Sequence, residues 1–143
     1  MGLIEQASGK SIWRGIDYCD EKRVLSYECV GAYEYHGIVS GSDNAVYDVH
    51  IDKRHPKRSA CNCPFAEGRR VICKHMIALY FTAEPEAKKR FLEEVARYEA
   101  EEEQREQEHY KDLERYVKSL SKAELQTELL DALIQLEDRR NYW

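Results

Sequence analysis

Cys61, Cys63, Cys73 and His75 fall within fifteen positions as Cys-Asn-Cys, a nine-residue spacer and Cys-Lys-His. Thiolate sulfur and imidazole nitrogen are the donors that Zn2+ takes, and four of them close a structural site as a tetrahedron. In an extended segment the side chains at i and i+2 point the same way, so Cys61 and Cys63 can present two sulfurs to one ion. The spacer contains Gly68 and can turn the chain back; Cys73 and His75 then supply the second pair from the start of a helix. Three thiolates and a neutral imidazole make the complex anionic, which Arg69, Arg70, Lys74 and the N-terminus of that helix can offset. An iron–sulfur cluster fits less well, because such clusters usually take four cysteines. A catalytic zinc keeps one position open for water, whereas four good ligands fill this shell. The ion is therefore expected to replace part of a small core rather than to react.

The elements that must position these donors follow from periodicity. Three strand-like runs precede the cluster. Val24 to Val30 sets Leu25, Tyr27 and Cys29 on one face. Tyr33 to Ser40 does the same with Tyr33, Tyr35 and Val39, and Val46 to Asp52 places Tyr47, Val49 and Ile51 opposite Asp48 and His50. A period of two is what a half-buried sheet requires. Gly31 breaks the first run from the second, and Gly41-Ser-Asp-Asn44 is a turn signal before the third, so a three-stranded antiparallel meander is expected. Upstream, residues 1–13 carry no clear pattern, and Trp13 to Tyr18 reads either as a short helical turn or as an irregular entry. Lys53 to Ser59 contains Pro56 and reads as a loop.

From Lys74 the pattern turns helical, with Ile77, Ala78 and Phe81 laying an apolar stripe on the sheet. Pro85 either breaks this helix or stands at N1 of a new one. The new helix is expected from about Pro85 to Leu120, with apolar residues only at its ends. Its middle, Glu99 to His109, has no large apolar residue and should be solvated on all sides, held by pairs such as Glu101–Arg105, with a break near Glu101–Glu106 as an alternative. Ser121-Lys-Ala-Glu124 is a capping box that opens a last helix with Leu125, Leu129, Leu133 and Leu136 on one face.

Composition bounds the rest. The chain has 143 residues, 43% of them apolar, which suits one small domain plus an appendage. There is no apolar run long enough for a transmembrane helix and no signal-peptide pattern at the start, so a cytoplasmic protein away from membranes is expected. The odd count of five cysteines, three in one cluster, fits a reducing compartment, and Cys19 and Cys29 read as small apolar residues on a sheet. The net charge of −5 hides a division: Lys53 to Lys74 holds seven Lys or Arg against one acid, while the segment from Glu84 onward holds seventeen acids against eleven bases.

Cys61-x-Cys63-Pro64, the spacer, then Cys73-Lys74-His75 followed by Met76-Ile-Ala-Leu79 resembles the SWIM zinc finger of bacterial proteins. Arg14-Gly15 with Tyr18, then Gly37-x-Val39-x-Gly41-Ser42, then Tyr47-x-Val49-x-Ile51 are similar to the strand region that leads into such motifs. The resemblance covers about residues 14 to 80. It implies an α+β fold with a zinc-bound ββα unit and Cys61, Cys63, Cys73 and His75 as ligands. SWIM domains also occur in transposases and remodelling-type ATPases and are thought to bind DNA or proteins; neither companion domain, nor a P-loop, is present here.

Lys53, Arg54, Lys57, Arg58, Arg69, Arg70 and Lys74 lie on two loops beside the metal segment and are the candidate contacts to nucleic-acid phosphates. The tyrosines of the sheet region are expected to pack inward rather than stack on bases. Asp48 and His50 share a strand face within hydrogen-bonding reach, but no nucleophile is set beside a base. The organisation expected is a zinc-finger domain over residues 1–83 and a charged helical arm or hairpin over 84–143. Its function is expected to be non-enzymatic: a zinc module binding DNA or another nucleic acid, or alternatively an adaptor docking a protein partner or a second copy through the C-terminal helices.

Overall fold

Alternating apolar residues over positions 24–52 fold into antiparallel strands, and a four-stranded sheet in the order β1-β2-β3-β4 results. The computed structural model describes residues 2–142. The strands are β1 (Val24–Gly31), β2 (Glu34–Ser40), β3 (Val46–Asp52) and β4 (Ala60–Cys61). The fourth strand corrects the expectation of three. It is two residues long, too short for any periodicity, and forms because Val49 pairs with Cys61 and His50 with Ala60.

Register places the apolar positions of β2 and β3 side by side: Tyr35 opposite Ile51, Gly37 opposite Val49 and Val39 opposite Tyr47. Their cover is α3 (Lys74–Ala83), whose Met76, Ile77, Leu79 and Phe81 are fully buried with Val39, Val49 and Ile51. Each such side chain contributes about 1.5–3 kcal/mol on burial. Gly37 lets the helix approach: a Cβ there would stand 2.7 Å from Leu79 Cδ1.

A second helix lies on α3 and was missed in the sequence. The short α1 (Leu3–Gln6) is followed by α2 (Gly9–Asp20), which overturns the reading of residues 1–13 as unpatterned and of Trp13–Tyr18 as a short turn. Ser8 caps α2, its hydroxyl accepting from the Ser11 amide at 3.2 Å, and Ile12, Ile16 and Tyr18 turn into the core. The signal was present in the Ser8 cap and in Ile12, Trp13, Ile16 and Tyr18, but dividing the chain at residue 13 cut this apolar face in two.

The inward packing expected of the tyrosines also needs correction. Only Tyr18 is buried; Tyr35 and Tyr47 are half-buried, and Tyr27 and Tyr33 are about half exposed. Tyr27 pairs with Gly37 and so shares the helix-side face, but β1 is an edge strand that α3 covers only in part. Cys29 is exposed on the same strand, and Cys19 lies on α2, not on a sheet, where its sulfur accepts from the Thr82 hydroxyl at 3.5 Å.

Pro85 ends α3 and is the first residue of α4 (Pro85–Ser119). The chain divides into two compact units, Met1–Glu93 and Glu94–Trp143. The first turns of α4 belong to the first unit, where Ala87 is buried and Phe91 stacks near Trp13 and Phe81 at 5.8 and 6.0 Å. In the second unit α4 runs unbroken through Glu101–Glu106. Arg105 pairs with Glu102 at 2.7 Å rather than with Glu101, and Asp112–Arg115 and Glu114–Lys118 support the later turns. Ser121 and Glu124 form the expected capping box of α5 (Lys122–Asn141). No described helix is long and apolar enough to cross a membrane.

Candidate metal centre

The four donors arrive from three local structures. Cys61 is the last residue of β4, held in register by Val49. Cys63 follows two residues on, and its carbonyl accepts from the amides of Ala66 at 3.1 Å and Glu67 at 2.9 Å, so the chain folds tightly around it. Gly68, at φ 72°, completes the reversal in the left-handed region that favours glycine. Cys73 is the N-cap of α3, and His75 lies in its first turn.

These residues converge. One atom from each of Cys61, Cys63, Cys73 and His75 lies within 4.8 Å of all the others, and all four side chains are buried. The sulfurs of Cys61 and Cys73 each stand 3.8 Å from His75 Nδ1. Bonds of about 2.3 Å to sulfur and 2.1 Å to nitrogen in a tetrahedron put sulfur and nitrogen roughly 3.6 Å apart, so the spacing fits zinc. Nδ1 is the nitrogen turned to the sulfurs, while Nε2 is buried with no protein partner. The imidazole is fixed by two aromatic rings, Tyr47 at 4.6 Å and Tyr18 at 5.5 Å between centroids.

Electrostatics supports a cation. The Cys61 thiol is pushed up by its hydrogen bond to Cys73 and by burial, and Cys63 is pushed up by burial and by the charge on Cys73. Cys73 is drawn down to about 4, first by the hydrogen bond from Cys61 and then by His75. Three sulfurs packed so closely share their protons unequally, and a divalent cation lets all three be thiolates. The cluster is a zinc site; zinc held there ties β4 to the start of α3 and supplies stability that the small core does not.

The basic residues around it do not act as one set. Arg54, Lys57, Arg58 and Arg70 line one cleft of about 450 Å³, brought together from the loop before β4 and the loop between the ligand pairs. Arg69 and Arg70 border a neighbouring cleft of about 490 Å³. Lys53 is diverted: its ammonium is paired with Glu84 and lies 5.7 Å from the Tyr35 ring centre. Lys74 lies on the Tyr18 ring at 4.7 Å and lines a third cleft, about 360 Å³, together with Lys10 and Arg14 of α2. Lys10 went unnoticed and Arg14 was named only for its resemblance to the family's upstream region, because the helix carrying them was missed. Lys74 and Arg23, with the hydroxyl of Ser42, outweigh burial and bring the Tyr18 phenol down.

Asp48 does not bond His50 on its own strand. It binds His36 across the sheet, and His50 meets Glu34 at 3.3 Å. Register sets His36 opposite His50, Ile38 opposite Asp48 and Glu34 opposite Asp52, so both contacts run along diagonals of the sheet, within reach of these side chains.

Residues 47–84 match the family model of the SWIM zinc finger. The segment bearing all four donors is thus a SWIM zinc finger, and the similar residues from Arg14 to Ser42 lie outside the match. No curated protein and no solved structure matches the chain.

Proposed function

We propose that this SWIM zinc finger holds a basic surface in shape for binding nucleic acid, DNA in the first place, and that it catalyses no reaction. The observation that carries the reading is the meeting of Arg54, Lys57, Arg58 and Arg70 in one cleft beside the metal loop. Cations so grouped neutralise successive phosphates and release their counterions. The chain as a whole carries −5, so this local concentration of positive charge stands against the general balance. Arg69 extends the same surface, whereas Lys53 is assigned to the fold. The four-donor shell supports the non-catalytic reading of the ion, since it would leave no position for a reactive water on the metal. Cysteines committed to a metal suit a reducing, cytoplasmic setting.

The test is filter retention of the zinc-loaded protein with single- and double-stranded DNA and RNA over a salt series. Neutralising four phosphates of duplex DNA gives a slope of log affinity on log salt of about −3.6. Arg58→Glu with Arg70→Glu should abolish most retention and flatten the slope. Failure to retain any nucleic acid at low salt contradicts the reading.

The alternative, an adaptor that docks protein through its C-terminal helices, is favoured by a separate observation: α5 buries none of its residues.

A further inference from the structure

We propose that the surface around the zinc loop takes nucleic acid as a single strand, with an unpaired base stacked on Phe65 and phosphates held by Lys10, Arg14 and Lys74 and by the Arg69-Arg70 pair. This rests on the basic surface proposed above and names the form of nucleic acid that it selects. Phe65 lies in the turn between the two ligand pairs and is 51% exposed. A single exposed apolar side chain is ordinary. What distinguishes Phe65 is its company. It lines the cleft of about 360 Å³ that also holds Lys10, Arg14 and Lys74. The Arg69 guanidinium stands 5.2 Å from the ring centre and donates to the Phe65 carbonyl at 3.2 Å. Arg69 does not border that cleft, so Phe65 turns a side free of the guanidinium toward it.

Cations thus stand beside the ring both in the cleft and outside it. Arg70 follows Arg69 and shares the cleft of about 450 Å³ with Arg54, Lys57 and Arg58. That cleft repeats the arrangement, since the Arg54 guanidinium lies 5.3 Å from the ring centre of Tyr33, itself 47% exposed. Among the described residues no carboxylate pairs with Lys10, Arg14, Arg69 or Arg70, whereas Lys53 and Lys88 are occupied by Glu84 and Asp20. The Phe65 cleft backs onto Cys63, Cys73 and His75. Three thiolates and an imidazole around a divalent ion sum to a single negative charge, which the three cations of the cleft outweigh. The cleft that Arg69 and Arg70 border also carries Asp48 and Glu67 and is assigned no phosphate.

Here duplex and single strand part. A duplex offers its phosphates to these cations but keeps its base faces inside its own stack. An unpaired base presents a π face, and stacking on an aromatic ring within a basic groove is how single strands are gripped without sequence readout. Wedging Phe65 into a duplex would first have to unstack a base step, an opposing term that an unpaired base does not carry. An exposed ring set among free cations therefore favours the single strand.

Fluorescence anisotropy of labelled oligothymidylate, oligouridylate and a DNA duplex of the same length, titrated with the zinc-loaded full chain at low salt, tests this. At least one of the single strands, the DNA or the RNA, should bind several-fold tighter than the duplex. Phe65→Ala should weaken that single strand between about fivefold and a hundredfold and leave the duplex within about twofold. Phe65→Trp should hold the wild-type affinity, whereas Phe65→Leu, apolar but without a π face, should not. Lys10→Gln with Arg14→Gln should reduce the slope of log affinity on log salt for the single strand by about 1.4, two phosphate contacts at about 0.7 each. A duplex bound as tightly as both single strands overturns the proposal and leaves nucleic-acid binding itself standing. A Phe65→Ala change that costs nothing, or costs single strand and duplex alike, does the same. Binding of neither form contradicts the basic surface and this proposal with it.

Discussion

Gly15 of α2 lies so close to Ile77 of α3 that a Cβ on residue 15 would stand 2.4 Å from the Ile77 Cβ and 2.5 Å from its Cγ2. Ile77 follows the zinc ligand His75 by two residues, so this contact locks the helix that delivers the imidazole. Gly15→Ala gains helix propensity but overpacks the contact, for a net loss of about 1–3 kcal/mol. Thermal unfolding of the zinc-loaded protein should show a midpoint several degrees lower. An unchanged midpoint would mean that the two helices are not locked here.

Removing the metal should cost far more than any single side chain. Apparent binding free energies of structural zinc are on the order of 10 kcal/mol, and that energy is folding energy. Chelation should abolish the cooperative thermal transition of the unit bearing Trp13 and the buried tyrosine, read by near-ultraviolet dichroism. Cys73→Ser should behave alike even with zinc present, and a chelated protein with native near-ultraviolet signal would contradict this.

Zinc affinity should climb with pH. Cys61 and Cys63, both raised, hold their protons in the metal-free cluster at neutral pH, whereas Cys73, at about 4, has already lost its own. The loaded site carries no thiol protons, so acid favours the empty cluster and base the loaded one. Two protons displaced from the folded cluster, or three from a metal-free segment that has unfolded, give at least roughly a hundredfold gain in affinity per pH unit between about 6 and 8. Competition with a chromophoric chelator measures the slope, and a flat profile would refute the assignment of protons.

Lys53 and its basic neighbours should separate in function. Glu84 raises the Lys53 ammonium through their hydrogen bond and occupies it. Lys53→Gln should therefore leave nucleic-acid retention within about twofold, while Arg58→Gln or Arg70→Gln lowers it several-fold, in line with one lost phosphate contact each. Equal losses from all three would show that Lys53 is free to bind.

The strands β2 and β3, the helix after Cys73 and the capping box at Ser121 were legible because each rests on a local rule: alternation, helical period or a cap. The zinc donors were legible for a related reason, since residue type and i,i+2 spacing leave little choice of chemistry. What escaped depends on tertiary context. Ala60–Cys61 becomes a strand only because β3 offers a free edge. Trp13–Tyr18 is part of a twelve-residue helix that opens at the Ser8 cap, upstream of the segment read as a turn, and packs through Gly15 on Ile77. Tyr27 keeps its predicted face but is only half covered at the edge of the sheet, and the pairing of Lys53 with Glu84 joins residues no local pattern connects.

X-ray absorption at the zinc edge of the purified protein tests the four-donor site most directly. One zinc per chain with three sulfur neighbours at about 2.3 Å and one nitrogen at about 2.0–2.1 Å is the expected result. Fewer than three sulfurs, or a water oxygen in the inner shell, would contradict a closed structural site and reopen the question of catalysis.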